Sequence, residues 1–341
     1  MYLTTASWAY KKDCLAGGMI MKKCHIIILL LIFMTLNSNI VYANDSYSAR
    51  FFSMGGACVG LVNDYNAIFD NPAGLADNDF AGINFGLTRI LNKHDLPSIV
   101  SLEKGPELFV GNYGSVSALK FASLGFGFSE TNYADISLDD MAFTRGIEKS
   151  YNLAYGRPIL RPFANIGALA WGINFCHFTR DNFTYSLSDP DNILLTKQDK
   201  ATGNTIDFGV MVKATNIINL GLKVDNLVSK IKWQESGLDK LPQTITFGMA
   251  INVPVLNMTF ATDLAKTKSI PEACLKMGIE KHLFLNALAL RAGFTKANKE
   301  DILYTGGLGL NLGPFKADLG LGVDNTPEKN IVSLLGLKIE F

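Results

Sequence analysis

From about residue 80 to its last residue the chain alternates apolar residues with polar or very small ones, and a period of two is the signature of a pleated sheet. The pattern is cleanest near the C-terminus, where Phe315, Ala317, Leu319, Leu321 and Val323 alternate with Lys316, Asp318, Gly320, Gly322 and Asp324. Tyr304-Gly306-Leu308-Leu310-Leu312 runs over Thr305-Gly307-Gly309-Asn311 in the same way, and Ile245-Phe247-Met249-Ile251-Val253 over Thr244-Thr246-Gly248-Ala250-Asn252. Each reads as a half-buried strand of about nine to eleven residues. Such segments fall near 80–90, 98–110, 116–130, 148–157, 164–178, 204–214, 217–229, 243–253, 256–265, 274–282, 285–294, 304–312, 315–324 and 331–341, about fourteen in all.

The connections narrow the class further. Thr215-Asn216, Pro254-Val255, Leu283-Phe284 and Gly313-Pro314 are tight, whereas 131–147, 179–203, 230–242 and 295–303 are long and polar. Short and long alternate, as they do in a transmembrane barrel with short periplasmic turns and long extracellular loops. A soluble sandwich has no reason to alternate. Closing the sheet also satisfies every strand's backbone groups in lipid.

Met21-Lys22-Lys23, the apolar run Ile26 to Met34 and the small-residue site Val41-Tyr42-Ala43 together read as an export signal. The expected start is Met21 and the expected cleavage follows Ala43, so that residues 1–43 are upstream sequence and signal peptide. The apolar run is too short to cross a bilayer as a helix. Cys24 lies on the wrong side of it for a lipoprotein. The destination is therefore the periplasm or the outer membrane, and the barrel pattern selects the outer membrane.

Composition agrees with a β protein. Of 341 residues 48% are hydrophobic, and Gly (31) and Phe (22) outnumber Pro (11), which suits a sheet with one small-residue face. Lys+Arg and Asp+Glu balance at 31 each, so no nucleic-acid partner is expected. Removing residues 1–43 leaves the mature chain mildly acidic. Cys14, Cys24, Cys58, Cys176 and Cys274 form no CxxC or Cys/His cluster, and no structural metal or disulfide framework is expected. Cys58, Cys176 and Cys274 read as small apolar residues.

Between signal and first strand lies Ala49-Arg50-Phe51-Phe52-Ser53-Met54-Gly55-Gly56-Ala57, followed by Val59 to Phe69 and by Asp70-Asn71-Pro72-Ala73-Gly74-Leu75-Ala76. Gly55-Gly56 and Pro72 bracket a stretch in which Leu61, Val62, Tyr65, Ile68 and Phe69 recur at helical spacing, which predicts a small helix. The MGGA and NPAGLA pairing resembles the PorV/PorQ family of outer-membrane proteins and, more distantly, the FadL-type channels for hydrophobic compounds. The resemblance implies an all-β transmembrane antiparallel barrel of about fourteen strands, residues 80–341, with 44–79 folded into the lumen as a short helical plug. Met54, Gly55, Gly56, Asn71, Pro72, Ala73 and Gly74 would be its motif residues. The alternating final strand places Ile331, Ser333, Leu335, Leu337, Ile339 and Phe341 on one face. Its Leu337, Ile339 and terminal Phe341 resemble the signal read by the outer-membrane assembly machinery.

With the apolar face on lipid, the inward set comprises Asp207, Lys213, Lys223, Asp225, Asp263, Lys276, Glu280, Arg291, Lys316, Asp318, Asp324, Lys338 and Glu340. Their mixed sign argues against a filter for one charge, and ion-paired filling that holds the plug is the simpler reading. Trp171, Phe175, Tyr151 and Tyr155 are expected in an outward aromatic girdle.

No enzyme is expected. His94, His177 and His282 fall at separate places on the strand map and no GxSxG or HExxH occurs. Asp64 and Asp70 are expected as a helix cap or as partners of an inward cation, not as metal ligands. No cofactor is implied. Two functions remain. One is passage of small hydrophobic molecules, with an apolar pocket near Met54 and Phe69. The other is a secretion adaptor of the type IX kind, binding exported proteins through loops 131–147 and 179–203. The expected partners are outer-membrane lipid, the assembly machinery, and either a hydrophobic ligand or a secreted protein cargo.

Overall fold

The structure, a computed structural model, describes residues 48–77, 82–91, 113–121, 123–137, 142–160, 167–186, 194–235, 237–297, 302–325 and 331–340. The expected export signal, the strand expected near 98–110, His94 and Phe341 lie outside the described residues. The strands are β1 (Gly82–Leu91), β2 (Tyr113–Phe121), β3 (Leu124–Ser137), β4 (Ala142–Leu160), β5 (Ala168–Ser186), β6 (Leu194–Lys213), β7 (Ile218–Trp233), β8 (Gly237–Asp239), β9 (Thr244–Val253), β10 (Met258–Thr267), β11 (Cys274–Leu283), β12 (Leu288–Lys296), β13 (Ile302–Leu312), β14 (Phe315–Asp324) and β15 (Ile331–Glu340). Every pairing is antiparallel between neighbours, and β15 returns to pair with β1, Gly82 facing Glu340. Of the 15 strands in the sheet, the three-residue β8 only flanks the outer end of β7, while β6, β7 and β9 pair in turn. The remaining fourteen form a closed antiparallel barrel.

Two corrections concern the strands. The stretch 116–130, expected as one strand, is the hairpin of β2 and β3, whose turn at Ala122-Ser123 has no Gly, Pro or Asn to mark it. The segments 131–147 and 179–203, expected as extracellular loops, are mostly strand, because β3 to β6 run on well past the positions where apolar alternation stops. Polar residues pair across these extensions: Arg180 Nε donates to Glu148 at 2.7 Å, Lys149 lies 3.5 Å from Glu130, and Lys200 lies 3.8 Å from Asp181. Cross-strand pairs of this kind hold a wet sheet together without an apolar face.

Strand length divides the wall in two. The strands β3 to β7 have 14, 19, 19, 20 and 16 residues, whereas β9 to β15 have between 9 and 11. Ten residues give about 33 Å of strand, which at a tilt of about 40° rises about 25 Å, the height of a membrane barrel's apolar band. Twenty residues reach about twice that height. Large apolar side chains stand outward around both halves, among them Phe85, Phe126, Leu153, Phe175, Phe247, Leu264, Leu308, Leu319 and Leu335. On the outer surface Tyr155 meets Trp171 edge-on with ring centroids 6.1 Å apart, Trp171 stacks with Phe208 at 6.5 Å, and Phe128 packs on Tyr151.

The lumen is filled by residues 48–77. Their expected single helix is replaced by two four-residue helices, α1 (Ala49–Phe52) and α2 (Ala67–Asp70), a 3-10 turn over Pro72–Asp77, and turns between. Leu61, Val62 and Tyr65 are buried as their spacing required, but toward the wall rather than along one helix face. The segment can leave the helix because the wall supplies hydrogen-bond partners, as described below.

Wall and plug meet backbone to backbone. Gly172, Gly209, Gly221, Gly248, Gly278 and Gly293, from six different strands, all face the plug. A Cβ on Gly172 would lie 2.2 Å from the Pro72 carbonyl carbon, one on Gly221 2.1 Å from the Val59 oxygen, and one on Gly278 2.3 Å from the Met54 oxygen. Any side chain at these positions pushes the plug off the wall.

At the end where both chain ends of the barrel lie, adjacent strands are joined by tight turns. One is Pro254–Leu256, closed by Asn257 at φ 48°. Another contains Phe284, Leu285 and Asn286, three successive left-handed residues at φ 50°, 55° and 72°. Gly313, at φ 72°, turns the chain between β13 and β14.

Candidate functional site

The candidate site is the plugged lumen, and its strongest feature is a chain of buried charges on the short-strand half. Arg50, from α1, grips Glu280 of β11 with two hydrogen bonds of 2.8 and 3.0 Å. Arg291 of β12 donates to the same carboxylate at 2.6 Å and to Asp318 of β14 at 2.7 Å. Lys338 of β15 continues the chain to Asp318 at 3.0 Å and to Asp64 of the plug at 3.6 Å. Glu280 has no solvent exposure, and His282 stands 3.1 Å from it. Burial works against the charge on Arg50 and Glu280 outweighs it, so the guanidinium is held protonated above its usual range. The plug is thus fastened through ions at both Arg50 and Asp64.

Further hydrogen bonds, from both charged and neutral side chains, fasten the rest. Asp263 of β10 accepts from the backbone N–H groups of Cys58 and Val59 at 2.7 and 2.9 Å, replacing the helix bonds that this stretch gives up. Thr305 Oγ1 accepts from the Gly55 N–H at 3.0 Å, and Thr295 donates to the Gly55 carbonyl at 2.6 Å. Asn71 donates to the carbonyls of Val59 at 2.8 Å and of Val210 in β6 at 3.3 Å, and its own oxygen accepts from the Ala73 N–H at 3.2 Å. One side chain therefore turns the plug at Pro72 and ties it to the wall. Lys223 donates to the Phe69 carbonyl at 2.6 Å and pairs with Asp225 at 2.6 Å.

Several of the charges expected to face inward take part in contacts within the lumen. Asp207 accepts from Asn174 at 3.0 Å and from the Asn226 N–H at 2.8 Å, where a bulge interrupts the β6 and β7 register. Lys316 pairs with Glu340. Lys276 runs its aliphatic stem past Gly56, Lys213 lines a cavity described below, and Asp324 is buried at the outer end of β14. Leu337 and Ile339 face outward on β15. Met54 has no exposure, and Ala73 and Gly74 are buried within the 3-10 turn, where a Cβ on Gly74 would meet the Val62 carbonyl at 2.3 Å. Asp64 accepts from the Asn66 N–H at 2.9 Å, and it caps the approach to α2 as well as meeting Lys338. Burial pushes the Asp70 carboxyl up to about 8 against the pull of Lys223, and it raises the Cys58 thiol as well. His177 bonds Asn204 at 2.9 Å, far along the barrel from His282. Among the described residues no group of His, Cys, Asp and Glu is arranged to hold a metal ion.

Three features escaped the sequence. Arg50, a single cation in the plug, gains its meaning only from Glu280, 230 residues away. A ladder of neutral groups, Ser129 to Ser150 at 2.7 Å, Asn152 to Ser150 at 3.1 Å and Asn174 to Asn152 at 3.0 Å, lines the long-strand half. Above it Phe178, Ala201 and Ile231 pack with Cys176, Trp233 and Leu241 on the wall. The apolar pocket expected near Met54 and Phe69 is instead filled by the plug's own core of Phe51, Met54, Val62, Tyr65, Ile68 and Leu75. The cavities lie at the tight-turn end and are polar. One of about 470 Å³ is lined by Arg50, Lys213, Asn216, Asn252 and His282 among others, and one of about 210 Å³ by Asn63, Arg291, Lys316 and Lys338 among others.

No family model and no curated protein matches the chain. Solved structures do. The Ralstonia pickettii toluene transporter TbuX is similar at a TM-score of 0.61 and 12% identity, over 88% of this chain and 100% of that one. The P. putida toluene transporter TodX follows at 0.57 and 13%, over 87% and 99%. A Pseudomonas aeruginosa FadL homologue is similar at 0.54 and 11%, over 87% and 98%. At such identities the likeness is one of fold, a transmembrane barrel. The PorV/PorQ resemblance carried by MGGA and NPAGLA gains no support from these likenesses.

Proposed function

We propose that the protein is a non-catalytic outer-membrane barrel for the passage of small hydrophobic molecules. The observation that supports this reading most directly is a closed, externally apolar barrel sealed by its own N-terminal segment, in a fold similar to two toluene transporters. Molecules from outside meet the apolar cluster of Phe178, Ile231, Trp233 and Leu241 on the long-strand half. Below it the plug fills the lumen, so passage requires the plug to move. The wet cavities beneath release the molecule toward the periplasm.

The test is entry of the hydrophobic dye phenylnaphthylamine into cells whose outer membrane is otherwise intact. Expression of the protein is expected to speed dye entry several-fold over a vector control, and Ile231→Asp to abolish the gain. Entry equal to the control, with folded barrel present in the outer membrane, would overturn the reading.

A further inference from the structure

The tight turns of the short-strand half keep the usual turn residues Pro254, Asn257, Asn286, Gly313 and Pro314 but add large apolar side chains at their tips. Gly, Asn, Asp, Ser and Pro favour such sites because they tolerate the backbone and prefer water. Here the tips carry Val255 at 94% exposure, Phe284 at 77% and Leu285 fully exposed, with Leu256, Leu312 and Phe315 exposed beside them. Phe284 and Leu285 also sit in the left-handed region, which their side chains resist. On the long-strand half the β6 to β7 turn at this end is Ala214-Thr215-Asn216-Ile217, polar at its centre, and the apolar residues exposed there, Ile217 and, before the β4 to β5 connection, Ile159 and Leu160, are less exposed than Val255, Phe284 and Leu285.

Two further observations indicate what covers these tips. The first is length. Strands of 9 to 11 residues only just match the apolar band, so on this side the outward apolar wall continues into the turns without a polar collar. Leu310, Leu312 and Phe315 form an unbroken exposed series around the β13 to β14 turn. The second is Lys281, which follows the outward parity of β11 and reaches the Leu256 carbonyl at the base of the neighbouring turn. A cation on an apolar stem among apolar tips is the arrangement of a side chain that snorkels to phosphate.

We infer that the turns at Pro254–Leu256, 284–287 and 313–314 form a keel inserted into the phospholipid interface of the inner leaflet. The polar turn of the opposite half stays in water. The barrel therefore stands tilted, sunk at the tight-turn end on its short side and raised at the other end on its long side. The inference rests on the membrane placement proposed above and adds to it a second lipid contact.

Full-length protein in phosphatidylcholine and phosphatidylglycerol vesicles tests it, with the added tryptophans read against parent protein retaining Trp8, Trp171 and Trp233. Three variants are compared, Leu285→Trp, Asn216→Trp and Phe247→Trp, with lipids brominated near the headgroup or deep in the chain. The keel requires at least threefold stronger quenching of Leu285→Trp than of Asn216→Trp by the shallow bromines, and shielding from iodide. Phe247→Trp, in the middle of the wall, is to be quenched by the deep bromines. If Phe247→Trp is quenched and Leu285→Trp is as open to iodide as Asn216→Trp, the keel is wrong and the membrane barrel stands. If Phe247→Trp is not quenched by lipid at all, the membrane placement fails and the keel with it. Shielding of Leu285→Trp only after periplasmic extract is added would assign the surface to a protein partner and also overturn the keel. Should Leu285→Trp fail to fold, Val255→Trp serves in its place.

Discussion

The two halves of the wall solve the same problem with different chemistry. On β9 to β15 the strands are as short as a membrane allows, and the lumen side is held by fully buried ions, Glu280 between Arg50 and Arg291. On β3 to β7 the strands are long, the lumen side carries a ladder of neutral Ser and Asn groups beside one buried pair, Lys223 and Asp225, and the other ion pairs lie high on the wall, with Lys197 and Glu235 about half exposed. A buried pair is dangerous to break and an exposed one is nearly free. The plug's ionic lock is therefore on the short half, while the long half holds the plug through Lys223 and Asn71 and can vary high on its wall.

Breaking the comparison at its strongest point means Glu280→Gln. It leaves Arg50 and Arg291 buried without their full partner, and a loss of about 3–5 kcal/mol is expected, read as a lower urea midpoint of the folded band on unboiled gels. The equivalent change on the long half, Glu148→Gln, should move that midpoint far less. Next in size, Gly172→Ala drives a Cβ into Pro72 and is expected to cost about 1–3 kcal/mol while raising the conductance of the barrel in planar bilayers as the plug is displaced. Unchanged conductance and midpoint would show that the wall yields more easily than its packing implies.

Asn71→Ala comes third. It strands the carbonyls of Val59 and Val210, and about 1–3 kcal/mol is expected, together with faster protease cleavage between residues 57 and 77. Smallest is Lys197→Ala, which removes an exposed pair with Glu235 and should change stability by about 0–1 kcal/mol. A large effect there would mean that the raised part of the wall is coupled to the plug after all.

The same division governs what could be read from the sequence. On the short half, turns rich in Pro, Gly and Asn and strict alternation from Thr244 onward place nearly every strand. On the long half, Arg180, Asp181 and Lys200 look like loop residues until a partner strand stands opposite, and partners are a tertiary fact. The Ala122-Ser123 turn has no breaker, so two strands read as one. Inward charges followed from parity alone, but their pairing did not, since Arg50 meets Glu280 only when the plug enters the ring. The wall glycines show the same limit: Gly221 and Gly278 are visible as small inward residues, yet nothing local says that Val59 and Met54 press on them.

The absence of clearance at Gly172, Gly221 and Gly278 bears on the order of assembly. A finished ring leaves no gap through which a segment with Phe51, Phe52 and Tyr65 on it could later be threaded. The segment precedes β1 in the chain, and β1 finds its second neighbour, β15, only after the thirteen strands between them. Synthesis thus delivers the filling first and the last stave after it, so the ring closes on an occupant already present. Enclosure is then the final step of folding rather than a later event of docking.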